Sequence, residues 1–283
     1  MIRVAGPSAT VHVDGTPVEA SFTPRLPGGP AVAGDRVDVD LRAGTGVVKA
    51  VRPRRTLLSR GEFSTRNRAR PLVANADLLI VVAAAADPPF RPRFVDRYLV
   101  AGEFGGLDCA LVITKMDLSH DAELIARAAQ VYGDVGYPVI TGSSDDPGTV
   151  ARVRDLIGGR AAALCGHSGV GKSSLTRGLT GVARAVGDVS RRVGKGRHTT
   201  TDPRFIPMPG GGAVVDTAGV RTFYVPPMDP EDLAHGFPEI QAAAAGCRFR
   251  GCRHGGEAGC AVPGNVSPGR LDSYRRLLAS IVT

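Results

Sequence analysis

The chain has 283 residues, which is long enough for two or three small domains, and 43% of them are hydrophobic, which supports a packed core. The net charge of +8 and the pI of about 9.7 indicate a polyanionic partner or a charge surplus that serves solubility. The first residues do not show the basic region and apolar core of a signal peptide. No apolar run reaches the ~20 residues that a membrane helix needs. We therefore expect a cytoplasmic protein that contacts no membrane and keeps its thiols reduced.

Residues 1–62 show short strand patterns separated by turns. The segments Ala9–Val13, Val18–Phe22, Arg36–Leu41 and Gly46–Val51 are rich in β-branched residues or alternate polar with apolar ones. These strands predict an N-terminal β-barrel of the oligonucleotide-binding (OB) type, although any other small barrel fits the same pattern.

The stretch Lys49–Arg70 is strongly basic, with Glu62 as its only acid. Such a run gives affinity for phosphates without reading sequence, and we therefore predict contact with RNA. A solvated linker between two domains is the alternative interpretation.

Residues 63–224 alternate apolar strand patterns with helical ones. Leu78–Ala84 and Cys109–Ile113 are apolar throughout, as parallel strands buried on both faces are. Further strands are predicted at 137–141, 161–165 and 213–215, and helices at 93–104, 121–131, 150–157 and 174–179. This alternation predicts a parallel α/β sheet, which binds ligands at the carboxyl ends of its strands.

A phosphate-binding loop is predicted between the strand 161–165 and the following helix, because the sequence there reads G-x-x-x-x-G-K-S. Glycines let the backbone N–H groups converge on phosphate oxygens, Lys172 adds a charge, and the Ser173 hydroxyl can ligate Mg²⁺. A chance glycine-rich turn before a helix is the alternative. The residues expected to bind nucleotide here are Gly166, His167, Ser168, Gly169, Val170, Gly171, Lys172, Ser173 and Ser174.

The strand 109–113 ends in Thr114, Lys115, Met116 and Asp117, which resemble the guanine-recognition motif N/T-K-x-D. The Asp117 carboxylate can accept hydrogen bonds from N1–H and N2–H₂ of guanine, whereas adenine would leave it unpaired. Lys115 would lie along the base and brace the phosphate loop.

The loop Thr141–Ser144 follows the next strand and resembles the looser segment that backs the base, with Ser143 as the expected contact. An ordinary β-turn explains this stretch equally well.

Asp216–Gly219 ends another strand and resembles the D-x-x-G motif. Asp216 would hold Mg²⁺ through water, and the Gly219 N–H would contact the γ-phosphate. The basic, glycine-rich segment Gly194–Thr201 is interpreted as a switch loop that the γ-phosphate orders, with Thr200 completing the Mg²⁺ ligands.

The order of these motifs is unusual, because ordinary GTPases place the phosphate loop first and the guanine motif late. Here Asp117 precedes Lys172. Joining the old chain ends and opening new ones would preserve the site. The sequence therefore predicts a circular permutation.

Residues 225–283 contain Cys247, Cys252, His254 and Cys260, whose types and spacing are typical of a closed tetrahedral Zn²⁺ site. The segment has few apolar residues, which favours one structural zinc per chain over reduced cysteines in a glycine-rich loop. A helix is predicted at 271–281.

Many GTPases place a Gln directly after D-x-x-G to orient the attacking water, but Val220 holds that position here. His198 in the first switch segment is the candidate for this catalytic part, because an imidazole can accept a hydrogen bond from water near pH 7. Contact of His198 with RNA or solvent is the alternative.

Taken together, the chain resembles the circularly permuted, small-ribosomal-subunit-dependent GTPases of late 30S assembly. The resemblance is carried by Arg55–Arg60, Ala74–Asp77, Gly166–Ser174, His198–Thr201 and the Cys/His set. It implies GTP hydrolysis stimulated by the 30S subunit, contact with 16S rRNA and release after hydrolysis. The resemblance also supports a catalytic role for His198, because the family carries a histidine at this place that has been proposed as catalytic. Ala218 departs from the family's D-T-P-G, and the family's N-terminal extension is short here.

The predicted fold is thus a circularly permuted α/β P-loop GTPase domain at 63–224, between an OB-type barrel at 1–62 and a zinc-binding domain at 225–283. We expect a monomer. The alternative function is a zinc-stabilised RNA-binding module with a weak or structural nucleotide site. A metabolic nucleotide kinase is disfavoured because no lid for an acceptor substrate is visible in the sequence.

Overall fold

The computed structural model describes residues 3–42, 44–62, 68–119, 121–182, 203–217 and 223–282. Its strands are β1 Arg3–Ala5, β2 Ser8–Val13, β3 Thr16–Phe22, β4 Val37–Arg42, β5 Thr45–Val51, β6 Leu57–Gly61, β7 Ala69–Ala74, β8 Leu78–Ala84, β9 Asp108–Thr114, β10 Val139–Thr141, β11 Ala161–Cys165, β12 Arg204–Pro207 and β13 Ala213–Asp216. Its α-helices are α1 Pro92–Phe104, α2 Ala122–Asp134, α3 Pro147–Ile157, α4 Lys172–Thr180, α5 Pro230–His235, α6 Pro238–Ala244 and α7 Pro268–Val282. No described helix is long and apolar enough to cross a membrane.

The central sheet has the strand order β10-β9-β8-β11-β13-β12, parallel except for β12. Side chains of α1 and α2 pack on one face of this sheet, and side chains of α3 and α4 pack on the other. All residues of β8 are buried, because alternate side chains enter the two opposite cores. The prediction of a parallel sheet from uninterrupted apolar runs is therefore confirmed.

The circular permutation is visible where α3 leads into β11. Residues 158–160 make this connection, with the Gly158 N–H donating to Arg154 O at 2.9 Å and the Arg160 N–H to Ile157 O at 3.2 Å. A tight turn thus feeds the chain into the strand before the phosphate loop, where a GTPase of ordinary order would begin.

The N-terminal strands follow the order β1-β2-β3-β5-β4, with β3 and β5 parallel and the other neighbours antiparallel. This order, with its parallel third and fifth strands, is that of the OB fold, which is a partly open barrel. β1 also pairs with β12 at Arg3 and Arg204, so the barrel strands and the central sheet are hydrogen-bonded into one sheet of eleven strands. The boundaries at residues 62 and 224 stay predictions.

The basic run Lys49–Arg70 is not a linker in its described residues, because β6 and β7 form an antiparallel hairpin there. Several of its cations also lie beside aspartates that are distant in sequence. The pairs are Lys49 with Asp40 at 3.9 Å, Arg52 with Asp38 at 2.5 Å, Arg54 with Asp35 at 2.7 Å, and Arg55 with Asp77 at 2.5 Å. Tertiary folding therefore neutralises much of the charge that the local sequence displays, which leaves Arg68 and Arg70 among the exposed cations of the hairpin.

Asp77 fastens the hairpin region to the central sheet. One carboxylate oxygen accepts from Arg55 at 2.5 Å, and the other accepts from the Ala161 N–H at 2.9 Å, at the first residue of β11. Burial alone would raise the pKa of Asp77, but these two donors outweigh it and hold that pKa below its usual value. Asp77 of the segment Ala74–Asp77, which carried part of the family resemblance, thus joins the hairpin region to the central sheet.

The C-terminal helices pack on α1, on the side away from the central sheet. Val100 of α1 joins a core with Leu233 of α5, Phe237 and Ile240 of the α6 region, and Tyr274 of α7. The sequence did not predict α5 and α6, which are short, although each begins with a proline at its first position. α7 begins three residues before its predicted start and ends one residue after its predicted end.

A buried arginine joins these helices to α1. Arg270 of α7 donates to Asp96 of α1 at 2.7 Å and, through two nitrogens, to Glu239 of α6 at 2.7 and 3.2 Å. Its side chain is 2% exposed, and its guanidinium lies 4.5 Å from the centre of the Phe237 ring. An ion pair buried to this degree is costly to break, because a lone partner would keep its charge away from water.

Replacing Arg270 with Met tests this attachment. We expect the free energy of unfolding to fall by about 3 kcal/mol, since Asp96 and Glu239 would stay buried without their cation. Arg276→Met on the same helix is the control, because Arg276 pairs with Asp272 in solvent and its loss should lower the stability much less. Urea unfolding followed by circular dichroism measures both variants, and equal losses would show that the buried ion pair does not hold α7 on α1.

Candidate functional site

The sequence-predicted motifs meet at one edge of the central sheet. β11 ends before Gly166, β9 ends at Thr114, β10 ends at Thr141, and β13 ends at Asp216. The register pairs Thr141 with Ile113, Ala84 with Thr114, and Leu164 with Asp216, so these ends lie side by side. This edge is the carboxyl edge of a parallel sheet, where ligands bind.

The phosphate loop has the tight backbone that its glycines predict. Gly171 has a φ of 89°, and a Cβ there would lie 2.7 Å from Ser144 Oγ. At Gly166 a Cβ would lie 2.1 Å from the Val82 carbonyl oxygen of β8. Larger residues at either position would therefore clash, and the loop can lie against β8 and the 141–144 loop only because these residues are glycines.

Lys172 is the first residue of α4 and is 6% exposed. Its ammonium donates to the Gly166 carbonyl at 2.9 Å and to the His167 carbonyl at 2.7 Å, so it lies within the curl of the loop. Ser173 follows as an exposed residue in the first turn of α4. The positive end of the helix dipole and the lysine charge thus act at the same place, which suits an anion.

Thr114 connects the guanine-type motif to the phosphate loop. It is fully buried, and its hydroxyl lies 2.6 Å from the Val170 carbonyl and 3.1 Å from the Ala83 carbonyl. A hydroxyl has one proton, so it donates to one of these oxygens at a time. The motif alone did not reveal this attachment, which makes the position of one motif depend on the other.

Lys115 and Asp117 lie at the rim of the same edge. Lys115 adopts a left-handed backbone with a φ of 56°, and its ammonium donates to the Asp87 carbonyl. Asp117 lies in a short 3₁₀ turn over Met116–Leu118, and its side chain is exposed. The Met116 N–H donates to Gly142 O at 3.2 Å, which holds this turn beside the 141–144 loop.

Of the two serines in the 141–144 loop, Ser144 is buried against Gly171, whereas Ser143 is partly exposed.

Asp216 is 4% exposed at the end of β13, and the next residue, Thr217, donates to Leu164 O at 2.7 Å. The predicted residues His198, Thr200 and Gly219 lie outside the described residues.

Two aromatic residues of α1 contact the phosphate loop and Phe223, and the sequence motifs did not reveal these contacts. Phe94 packs edge-on against His167 with ring centres 5.5 Å apart, and Tyr98 stacks on Phe223 at 4.0 Å. Burial raises the pKa of Tyr98 well above its usual value, so its phenol stays neutral. The only sequence signal for these contacts is the amphipathic pattern of residues 93–104, which puts Phe94 and Tyr98 near one stripe of the helix.

Four metal-ligating side chains form a second site in the C-terminal domain. The ligand atoms of Cys247, Cys252, His254 and Cys260 all lie within 4.8 Å of one another. His254 Nδ1 is 3.6 Å from Cys247 Sγ and 3.5 Å from Cys260 Sγ, and these two sulfurs are 4.0 Å apart.

These distances fit one tetrahedral ion. Zinc-type bond lengths of about 2.3 Å to sulfur and about 2.0 Å to nitrogen imply tetrahedral edges of about 3.5 Å between nitrogen and sulfur and about 3.8 Å between sulfurs. The chain also holds the ligand loop from outside, because Tyr274 donates to Arg253 O at 2.8 Å and Arg275 donates to His254 O at 3.1 Å. The cluster can therefore hold one metal ion.

The strand order, the phosphate loop, the guanine-type motif and the α3–β11 connection together define a circularly permuted P-loop GTPase. The model of the RsgA GTPase family matches residues 51–226. This chain belongs to the RsgA GTPase family, and the prediction made from the motifs is confirmed. Family membership does not favour the alternative of an RNA-binding module with a structural nucleotide site.

Relatives of known name support the same assignment. A protein of Pseudomonas aeruginosa (strain LESB58), named small ribosomal subunit biogenesis GTPase RsgA, is 39% identical over 246 residues, which cover 84% of this chain and 72% of the relative. A protein of the same name from Haemophilus influenzae (strain 86-028NP) is 35% identical over 263 residues, covering 88% and 75%.

Two solved structures share the whole fold. The crystal structure of YloQ, described as a circularly permuted GTPase, has a TM-score of 0.73 and 26% identity, covering 99% of this chain and 93% of YloQ. YjeQ from Thermotoga maritima has a TM-score of 0.74 and 26% identity, covering 99% of this chain and 96% of YjeQ. The permuted order is therefore shared with these proteins.

Cys252→Ser tests the metal cluster. We expect bound metal to fall from one ion per chain to nearly none, with loss of the C-terminal fold and little change in GTP binding, because the phosphate loop lies in another part of the chain. Cys109→Ala is the control, since Cys109 is buried beside α1 and is not a ligand. Native mass spectrometry counts the ions, and an unchanged count in Cys252→Ser would contradict the assignment.

Proposed function

We propose that this GTPase binds the small ribosomal subunit, acts in its late maturation and is released after GTP hydrolysis. The observation that carries the proposal is the convergence of the phosphate loop and the guanine-type motif, in permuted order, on one sheet edge. The relatives that share this chain's sequence over most of their length carry the name small ribosomal subunit biogenesis GTPase.

In the proposed complex, the base lies against the 114–117 turn and the phosphates lie in the loop that precedes α4. Asp117 accepts from the guanine N1–H and N2–H₂, and Ser143 contacts the base from the loop that backs it. Residues Gly166 to Ser174 surround the phosphates, and bound phosphate oxygens would take over the Lys172 ammonium from the carbonyls that it contacts here.

Magnesium enters this site with GTP. Ser173 is exposed at the start of α4, and Asp216 ends the neighbouring strand β13, so both face the same edge. We assign Ser173 and Thr200 as ligands of the ion, Asp216 as a ligand through water, and the Gly219 N–H as the donor to the γ-phosphate.

The C-terminal ion is proposed to be a single structural zinc. Three thiolates and one imidazole are soft and borderline ligands, which select zinc over magnesium or calcium, and four protein ligands leave no position for a substrate. The ion stabilises a segment between α6 and α7 that has little regular structure of its own.

The partner is proposed to be 16S rRNA in the 30S subunit, bound in the cytoplasm by a monomer. The exposed cations Arg68 and Arg70 of the hairpin, and Arg248, Arg250 and Arg253 of the metal loop, support an electrostatic contact with phosphates. The ion pairs of Arg52, Arg54 and Arg55 mean that the barrel contributes less charge than its sequence indicates.

The direct test is the single-turnover rate of GTP hydrolysis with and without purified 30S subunits. We expect the 30S subunit to raise the rate by more than tenfold, because binding to the subunit would order the switch segment and bring its catalytic residue into place. Purified 50S subunits serve as the control and should have little effect. Equal rates in all three conditions would contradict the proposal.

Base selectivity should depend on Asp117. Asp117→Asn is expected to shift binding from GTP towards xanthosine triphosphate, because the amide can donate to the C2 carbonyl of xanthine. Asp134→Asn, at the exposed end of α2, should leave the preference for GTP unchanged. Competition binding measures the preference, and a wild-type chain that bound ATP as well as GTP would disprove the role of Asp117.

Water positioning is assigned to His198. His198→Ala should leave GTP affinity and 30S binding nearly unchanged, yet lower the 30S-stimulated rate by about a hundredfold, since a positioned general base contributes on that scale. His235→Ala, at the exposed end of α5, is the matched histidine control. If His198→Ala hydrolyses GTP on the 30S subunit as fast as the wild type, another group orients the water.

A further inference from the structure

Phe249 is an exposed aromatic side chain held in the metal-ligand loop. It lies between the ligands Cys247 and Cys252, and 54% of the residue is accessible to solvent. The core of the C-terminal domain is built from other residues of α5, α6 and α7, so the packing of that domain does not require this ring. Single exposed hydrophobic residues are common, so the neighbours of Phe249 decide whether it has a function.

The two residues that precede Phe249 are held in place by contacts with the segment 259–261. The Arg248 N–H donates to Gly259 O at 3.0 Å, and the Ala261 N–H donates to Cys247 Sγ at 3.4 Å. A Cβ at Gly259 would lie 3.0 Å from Arg248 Cβ, so the stem of Arg248 runs along the Gly259 backbone. A ring that is already positioned loses little conformational entropy when a ligand binds to it.

The Arg248 guanidinium lies over one face of the Phe249 ring, 5.3 Å from its centre. Because more than half of Phe249 is exposed, the ring keeps surface that a planar partner could contact. Stacked arrangements of this kind, with arginine and an aromatic ring together, suit the planar bases of nucleic acids.

The surroundings of Phe249 are positively charged. Arg248, Arg250 and Arg253 are exposed, and none of them forms a salt bridge within the described residues. The nearby Glu257 carboxylate accepts from the backbone N–H groups of Arg253 and Gly256, at 3.0 and 3.1 Å. The three arginine side chains are therefore placed to contact an external anion, which favours a polyanion over an apolar protein or an acyl chain.

We propose that Phe249 stacks on an unpaired RNA base while Arg248, Arg250 and Arg253 contact the adjacent phosphates. The choice of RNA rests on the proposed function. The choice of a single strand rests on the ring, because the bases of a duplex are already stacked on one another and cannot reach it.

The absence of tryptophan from this chain provides a local test. Phe249→Trp places a single fluorescent indole at the proposed stacking position, and Phe104→Trp places one at another exposed phenylalanine, at the end of α1. The full-length variants, shown to retain one metal ion and the wild-type circular dichroism spectrum, are titrated with a labelled 12-nucleotide single-stranded RNA and with a duplex of the same length. Binding is followed by anisotropy of the label, and stacking by tryptophan fluorescence.

We expect the single strand to quench Phe249→Trp strongly, the duplex to quench it weakly, and neither to quench Phe104→Trp. Phe249→Leu should lower single-strand affinity by about tenfold, on the scale of one base stacked on an aromatic ring. No quenching of Phe249→Trp when anisotropy shows saturated binding would overturn the proposal, as would equal quenching by the duplex. The outcome is independent of the 30S assay, since the chain could stack on free RNA without stimulation by 30S, or be stimulated without stacking.

Discussion

The site depends on a close approach between two segments that are far apart in the sequence. The buried Thr114 hydroxyl lies 2.6 Å from the Val170 carbonyl, and the backbone of Gly171 lies so close to Ser144 that a Cβ would not fit. These contacts fix the distance between the predicted base-binding turn and the phosphate loop. Because the contacts depend on the neighbouring strands and not on chain order, the permuted connectivity leaves the site geometry intact.

Helix α1 contacts both this site and the C-terminal domain. Its Phe94 and Tyr98 face the phosphate loop and Phe223, while its Asp96 and Val100 face Arg270 and the C-terminal core. A shift of α1 on nucleotide exchange would therefore change the contacts of both the phosphate loop and the metal domain. These are the parts proposed to bind GTP and RNA. Such a shared rigid element is the kind of structure through which two sites become coupled.

The sequence predicted the central sheet well, since uninterrupted apolar runs such as Leu78–Ala84 have few other structures open to them. Sequence patterns could not reveal the features that depend on long-range contacts. The ion pair of Arg54 with the buried Asp35 and the β6–β7 hairpin made a structured region of a stretch that also fitted a linker. The buried Arg270 had no signal at all, because a lone arginine in a helix is ordinarily exposed. Roles for His198 and Thr200 rest on motif order and resemblance alone.

The separated, permuted motifs are proposed to form one GTP site, which a crystal structure with a non-hydrolysable GTP analogue would reveal. We expect the guanine edge within hydrogen-bond distance of the Asp117 carboxylate and the β-phosphate enclosed by the 166–173 loop. The Lys172 ammonium should move from the Gly166 and His167 carbonyls to the phosphates. A base that points away from Asp117, or a nucleotide seated outside this sheet edge, would contradict the proposal of one GTP site.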